Sequence, residues 1–213
     1  HTVDTVMHFE GDRDGALRLL RVIKHRFGAT DRVGMFRMTK RGIESLDDPS
    51  GLLLADRQAG VPGSAVVAVL EGHRPVLVEV QALVSPRPAG SGGFGTRTVT
   101  GLVPRRIDLI LAVLAQRAQL DLSSADVFVS VAGGLTVREP AADLAIAAAV
   151  VSSATLRAVP GDVMMLGEVG LTGELRSVPE PSRRISEAAR LGFSRIVAPR
   201  DRSVHPAGGE VEW

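Results

Sequence analysis

Lys24 and Arg26 flank a histidine in the segment KHRFG, residues 24–28. Two cations at this spacing can serve a phosphate, the lysine as a point charge and the arginine as a fork of donors. The ordinary alternative is favourable charge at the end of a helix, stopped by Gly28. A second basic set lies between Val80 and Ile107, where Arg87, Arg97, Arg105 and Arg106 stand without a single Asp or Glu. Arg105 and Arg106 follow Pro104 at an expected helix start, where positive charge opposes the helix dipole and so asks for another reason. Arg183 and Arg184 repeat the arrangement after Pro181. Such arginines suit sequence-independent contact with nucleic-acid phosphates; a solvated loop and helix start is the competing reading. Phe94 is the one aromatic residue nearby, so base stacking has no support.

Hydrolytic chemistry is harder to place. Residues 139–153, EPAADLAIAAAVVSS, predict a helix whose start is crowded with small residues, where many enzymes carry a nucleophile. Lysine occurs only at Lys24 and Lys40, and from residue 63 onward every Lys or Arg position is arginine. Arginine stays protonated and is a poor general base. A Ser–Lys dyad needs a lysine whose pKa is low enough to accept the hydroxyl proton. Ser152, Ser153 and Ser182 are present, but the nearest imidazoles, His73 and His205, lie in expected loops. The chain has no cysteine, which removes disulfides, thiolate zinc sites and thiol catalysis. The five histidines, His1, His8, His25, His73 and His205, are scattered, and no phosphate-binding GxxxxGK[ST] loop is present. The glycines of residues 90–95 read as a flexible loop. A working serine peptidase stays as the rival class, and a pure protein-docking module without DNA contact as a third.

The elements that must position these groups follow from periodicity. Residues 1–9 predict a strand. ALRLLRVIKHRF predicts an amphipathic helix with Leu17, Leu20, Ile23 and Phe27 on one face and Arg18, Arg21 and His25 off it. RVGMFRM and IESL predict two strands joined by a TKRG turn, and PSGLLL a short helical or extended piece. Residues 57–62 form the expected linker between a block at 1–56 and a second at 63–213. The second block opens with a hairpin, SAVVAVLEG and RPVLVEVQALV, and continues through a strand, a helix from Pro104, the strand DVFVSVAG, the helix at 139–155, a Gly-rich strand pair, a helix from Pro181 and a last strand, SRIVAP. The expected class is α/β, with helices on one side of a mixed sheet. A net charge of +1 gives no global field toward nucleic acid, so any such contact must be local. The apolar run from Leu144 to Val151 is too short to span a membrane, and no leader opens the sequence; with the absence of cysteine, this predicts a cytoplasmic protein.

The stretch HTVDTVMHFEGD with RLLRVIKHRFG resembles the end of the motor domain of the RadA (Sms) family, bacterial RecA-like proteins of DNA repair and recombination. That family carries KNRFG here; Lys24, Arg26, Phe27 and Gly28 match, and His25 departs. From about Gly63 the chain is similar to the Lon-type proteolytic domain (ribosomal protein S5 domain 2-like) fused to the family's motor. The similar segments are VAGGLTVREPAADLAIAAAVVSS, VMMLGEVGLTGEL and ISEAARLGFSRIVAP. In Lon peptidases a Pro-Ser-Ala-Gly segment starts the corresponding helix, its serine is the nucleophile, and a lysine on the next helix is the base. Here Pro140 matches, Ala141 stands at the serine position, Asp143 at the glycine, and Ser182 within a residue or so of the lysine. The resemblance therefore implies a catalytically dead Lon-like domain. It further implies that Lys24 and Arg26 reach ATP bound by a neighbouring subunit, and that Arg87, Arg97, Arg105, Arg106, Arg183 and Arg184 face DNA. The full protein would carry an ATPase using ATP and magnesium, and an N-terminal zinc finger, neither within this chain. It would work as a hexameric ring driving branch migration of recombination intermediates. The implied partners are branched, single- or double-stranded DNA, further copies of the chain and a RecA-type recombinase, with no membrane.

Overall fold

The structure, a computed structural model, describes residues 3–11, 17–30, 32–88 and 93–200. The readings placed on His1, Gly90, His205 and the tail after Arg200 lie outside the described residues. Strands β1 (Thr5–Glu10), β2 (Leu17–His25), β3 (Val33–Thr39) and β4 (Gly42–Ser45) form an antiparallel sheet in that order. The segment expected as an amphipathic helix is therefore β2. It pairs with β1 from Thr5 opposite His25 to Glu10 opposite Leu19, and with β3 from Leu17 opposite Arg37 to Arg21 opposite Val33. The helical face fails on burial: Leu17 is buried, Leu20 half-buried, Ile23 and Phe27 exposed. The side chains that go inward are Leu17 and Leu19, two apart, with Met35 beside them on β3. Leucine, arginine and lysine favour a helix only weakly, and two flanking strands with open ladders outweigh that preference. Gly28 consequently ends no helix.

Helix α1 (Pro49–Leu54) starts at Asp48, whose carboxylate accepts from the Gly51 N–H at 3.1 Å, with Pro49 in the first turn. It packs on the second sheet, whose order is β12-β9-β5-β6-β8-β7. The strands are β5 (Ser64–Glu71), β6 (Arg74–Ser85), β7 (Arg97–Thr100), β8 (Asp126–Val131), β9 (Val163–Met165) and β12 (Arg195–Val197). The buried Ser50 hydroxyl of α1 accepts from the Leu77 N–H of β6 at 3.1 Å and donates to Glu187 at 2.6 Å. The sheet is mixed, as expected: β5, β6 and β8 pair antiparallel, while β9 with β5, β12 with β9, and β7 with β8 run parallel. Gly72, at φ +64°, makes the tight β5–β6 turn, a conformation in which a Cβ is strained. Helices α2 (Pro104–Arg117), α3 (Asp143–Thr155) and α4 (Pro181–Arg190) pack around this sheet, and β10 (Glu168–Val169) and β11 (Leu175–Arg176) form a small separate hairpin. Successive β5 side chains from Ala65 to Val69 are all buried, which requires cover on both faces. Toward β7 a face is open, at Leu83, Thr98, Thr100 and Phe128.

The two sheets share one core: Leu17, Leu19 and Met35 belong to the same buried cluster as β5, β6 and α3. The opposite face of the first sheet is apolar and open. It carries Met7, Phe9, Met38 and Ile43, with the Phe9 and Phe36 rings 6.2 Å apart. Among the described residues no helix is long and apolar enough to cross a membrane.

Candidate functional site

Ala141 lies in a single 3-10 turn, Pro140–Ala142, that leads directly into α3, and it is buried. Its carbonyl accepts from the Gly167 N–H at 3.1 Å, and the Leu144 N–H returns a bond to the Gly167 carbonyl at 3.1 Å. Acidic residues bracket this turn, and each is gripped by an arginine from another helix start. Arg106, in the first turn of α2, donates from Nε to Asp143 Oδ1 at 2.7 Å and from its terminal nitrogen to Asp143 Oδ2. The Val169 N–H adds a bond to Oδ2 at 3.0 Å, so the buried carboxylate has both oxygens filled. Asp143 also sits in the first turn of α3, where negative charge is favoured. The hydrogen bonds and charge of Asp143 hold the Arg106 pKa above its ordinary value against burial.

Arg184 grips the other side. Its terminal nitrogens donate to Glu139 Oε1 at 2.8 Å and Oε2 at 2.7 Å, and one also donates to the Ala68 carbonyl at 2.6 Å. Nε donates to the Pro179 carbonyl at 2.9 Å. Glu139 Oε1 also accepts from the Leu70 N–H at 2.7 Å. This is the reason, missing at the level of sequence, why arginines occupy two helix starts against the dipole: each reaches a carboxylate flanking Ala141. The letters that carry it are Glu139 and Asp143, which bracket the small residues at the start of that helix.

The structure separates the six arginines assigned to DNA. Arg184 has 0 % of its side chain exposed, so it has no atom to offer a phosphate, and that assignment is corrected. Arg106 is committed to Asp143, with Glu168 at 3.6 Å. Arg97 donates to the Leu122 carbonyl at 2.7 Å and to that of Ala125, tying β7 to the loop before β8. Arg87 donates to the Phe94 carbonyl at 2.9 Å and is half-buried. Arg105 is exposed, and Arg183 is 59 % exposed beside Glu180 at 3.0 Å.

Ser182 is exposed at the second position of α4. Ser152 and Ser153 do structural work: Ser152 accepts from the Gly63 N–H at 2.9 Å and donates to the Arg157 carbonyl at 2.6 Å, and Ser153 accepts from the Val84 N–H at 2.9 Å. His73 Nδ1 lies 3.0 Å from Glu180 Oε1. Both lysines belong to the first sheet, Lys24 in β2 and Lys40 in the β3–β4 turn. An Ala141→Ser chain is therefore expected to hydrolyse no unfolded casein and to take up no fluorophosphonate, because a hydroxyl without a base is a poor nucleophile. Labelling at that serine would show a base in reach.

Lys24 and Arg26 lie together at the free end of β2. Lys24 Nζ donates to the Val3 carbonyl at 2.6 Å. Arg26 pairs with Asp4 at 3.1 Å, where the two side chains are 67 % and 61 % exposed. The Arg26 guanidinium lies 5.3 Å from the centroid of the exposed Phe27 ring. His25 Nδ1 accepts from the Phe27 N–H at 3.4 Å, so the departing residue of KHRFG is turned to local backbone. Since β2 is a strand, the helix-end explanation of this charge no longer applies.

Fold and site together define an antiparallel sheet with an outward-facing pair of cations, joined through one core to a mixed α/β domain. Residues 105–202 match the family model described as Subunit ChlI of Mg-chelatase. Over nearly its whole length the chain is homologous to proteins named DNA repair protein RadA. The Mycolicibacterium smegmatis protein is 48% identical over 211 residues, 99% of this chain and 44% of the relative. Those of Halalkalibacterium halodurans and Bacillus subtilis are 46% and 44% identical over 93% and 99% of this chain, and 43% and 46% of the relatives. The resemblance to the RadA family thus extends well beyond the motifs that first pointed to it, and the chain spans less than half the length of the curated relatives it matches.

Proposed function

We propose that this chain serves DNA repair and recombination as the part of a RadA-type protein that follows the nucleotide-binding loop of the motor. In this reading residues 1–56 complete a RecA-like ATPase core, 57–62 link, and 63–213 form a Lon-like domain that builds a ring and performs no proteolysis. The single observation that carries the reading is identity of 44–48% with RadA proteins across both sheets at once. The open apolar face at Met7, Phe9, Met38 and Ile43 supports it, because an exposed sheet face of this kind is what a larger core would cover.

ATP with magnesium would supply the free energy of branch migration in the full-length protein. Lys24 and Arg26 fit a role beside its phosphates in a neighbouring subunit. Both are cations at a strand end; Lys24 donates to the Val3 carbonyl and Arg26 pairs with the exposed Asp4, contacts that a phosphate could displace. Such cations act only across an interface, so the reading requires an assembled ring, taken here as a hexamer. A zinc finger and contact with a RecA-type recombinase belong to the remainder of the protein in the same reading.

DNA holding falls to the arginines with exposed guanidinium groups, Arg105 and Arg183, and to the half-buried Arg87; Arg97 and Arg106 are already engaged by backbone carbonyls and by Asp143. Binding through phosphates makes affinity fall with salt in proportion to the contacts made. Arg105→Ala and Arg183→Ala are each expected to lower the slope of log affinity against log salt by about 1, uniformly across sequences. A salt titration of duplex binding checks this. Unchanged slopes would remove both residues from the interface and favour the docking-module reading.

A further inference from the structure

We infer that Arg21 is a positioning residue for the cation pair at the end of β2, acting through an ion pair with Glu71; the inference rests on the motor reading of Lys24 and Arg26. Arg21 donates from Nε to Glu10 on β1 at 3.1 Å and from a terminal nitrogen to Glu71 at the end of β5. It is thus the bolt between the two sheets. The Glu71 side chain is only 7 % exposed, and burial pushes its carboxyl pKa up despite the neighbouring guanidinium. Removing either partner leaves the other charge poorly compensated at a largely buried site.

The place of Arg21 along the strand gives this bond its consequence. Leu17, Leu19 and Arg21 alternate onto the face of β2 that meets the second domain, and the two leucines are buried there. The alternation ends there: Lys24 pairs with Val6 and Val22 with Met7, so Ile23 between them is a bulge residue, and it is exposed. Beyond Arg21 no side chain of β2 is buried and the strand keeps only its ladder with β1, and Lys24 lies three residues further on, about 10 Å at the rise of a β-strand. A cavity of about 650 Å³ opens beside the ion pair, lined by Glu10, Arg21, Glu71, Gly134, Arg138 and Glu139 among others. Leu17, Leu19, Leu135 and Val137 line the same cavity, and the polar complement to them on that flank is the pair. If it is lost, the root of the strand can tilt, and the tilt is magnified at Lys24 and Arg26. Small misplacement of a group that stabilises a transition state lowers turnover more than it weakens binding.

The test uses the full-length protein and its DNA-stimulated ATP turnover. Arg21→Ala is expected to lower kcat by about tenfold or more while KM for ATP changes less than about threefold, because the nucleotide's own subunit still binds it. Glu71→Gln, which keeps the side-chain shape, should have the same signature and serves if the alanine variant folds poorly. Two combinations decide between positioning and general stability. The exchange Arg21→Glu with Glu71→Arg should recover most of the turnover that each single change removes. Arg21→Ala on top of Lys24→Ala should lower kcat no further than Lys24→Ala alone, since one residue acts through the other. Multiplying losses, or a loss of kcat matched by loss of folded protein in both Arg21→Ala and Glu71→Gln, would overturn the inference. If Lys24→Ala itself leaves turnover intact, it is the motor reading that has failed.

Discussion

Arg184→Ala is expected to lower the unfolding free energy of this chain by about 3–5 kcal/mol, the usual consequence of removing one partner of a buried ion pair. The loss has three parts. Glu139 keeps its charge but loses both donors of the fork; the Ala68 and Pro179 carbonyls lose theirs; and a fully buried side chain leaves a cavity behind. Glu139 is 25 % exposed and can be partly rehydrated, which places the expectation toward the lower end of that range. Denaturant unfolding would read the effect as a lower midpoint at unchanged slope. Replacing both partners, Arg184→Met with Glu139→Leu, should recover much of the loss, because no orphaned charge remains. A single-variant loss under about 1 kcal/mol would show that the pair is far better solvated than its burial indicates. The same experiment bears on function: with Arg184 serving Glu139, DNA affinity measured on the residual folded protein should keep its salt slope, in contrast to Arg105→Ala.

Lys24→Ala and Arg26→Ala are each expected to cut ATP turnover of the full-length protein by about 10²-fold or more, in line with charges supplied across an interface to a transferring phosphoryl group. Stability should hardly change. Arg26 and Asp4 form an exposed pair, and exposed pairs contribute about 0–1 kcal/mol. The pattern of large kinetic loss with unaltered melting separates a functional cation from a structural one. Mixing supplies a sharper result. Rings made from Lys24→Ala subunits and subunits lacking their own nucleotide-loop lysine should regain part of the lost turnover, because some interfaces then pair an intact loop with an intact Lys24. Absence of recovery would place Lys24 in the same subunit as the nucleotide it serves, and unchanged turnover in the single variants would return both cations to the strand end as ordinary solvated charge.

Asp143 and Ser182 show how far residue types alone could carry the site. The lack of a lysine base after residue 63 was legible from composition, because chemistry sets a minimum inventory and the lysines stop at Lys40. The reason for the smooth start of α3 was not legible. It depends on Arg106 arriving from α2 and Arg184 from α4, contacts 37 and 45 residues apart in the chain. Arg105 and Arg106, or Arg183 and Arg184, are indistinguishable as letters. On a helix, neighbours point about 100° apart, so one of each pair turns to a carboxylate of the protein while the other meets water.

The second block was read nearly element for element, since its strands are runs of valine, leucine and alanine and its helices carry proline starts. The sequence by itself determined the mixed α/β character of that block, the hairpin at Gly72 and the absence of a lysine base, because each follows from local periodicity, backbone freedom or residue inventory. Tertiary structure alone decided that residues 17–25 are a strand, and which arginines face outward. A segment with Leu17, Leu20 and Ile23 satisfies helical spacing as written, but it has open strands on both sides, and backbone groups that can complete two ladders outweigh a propensity of a few tenths of a kcal/mol per residue.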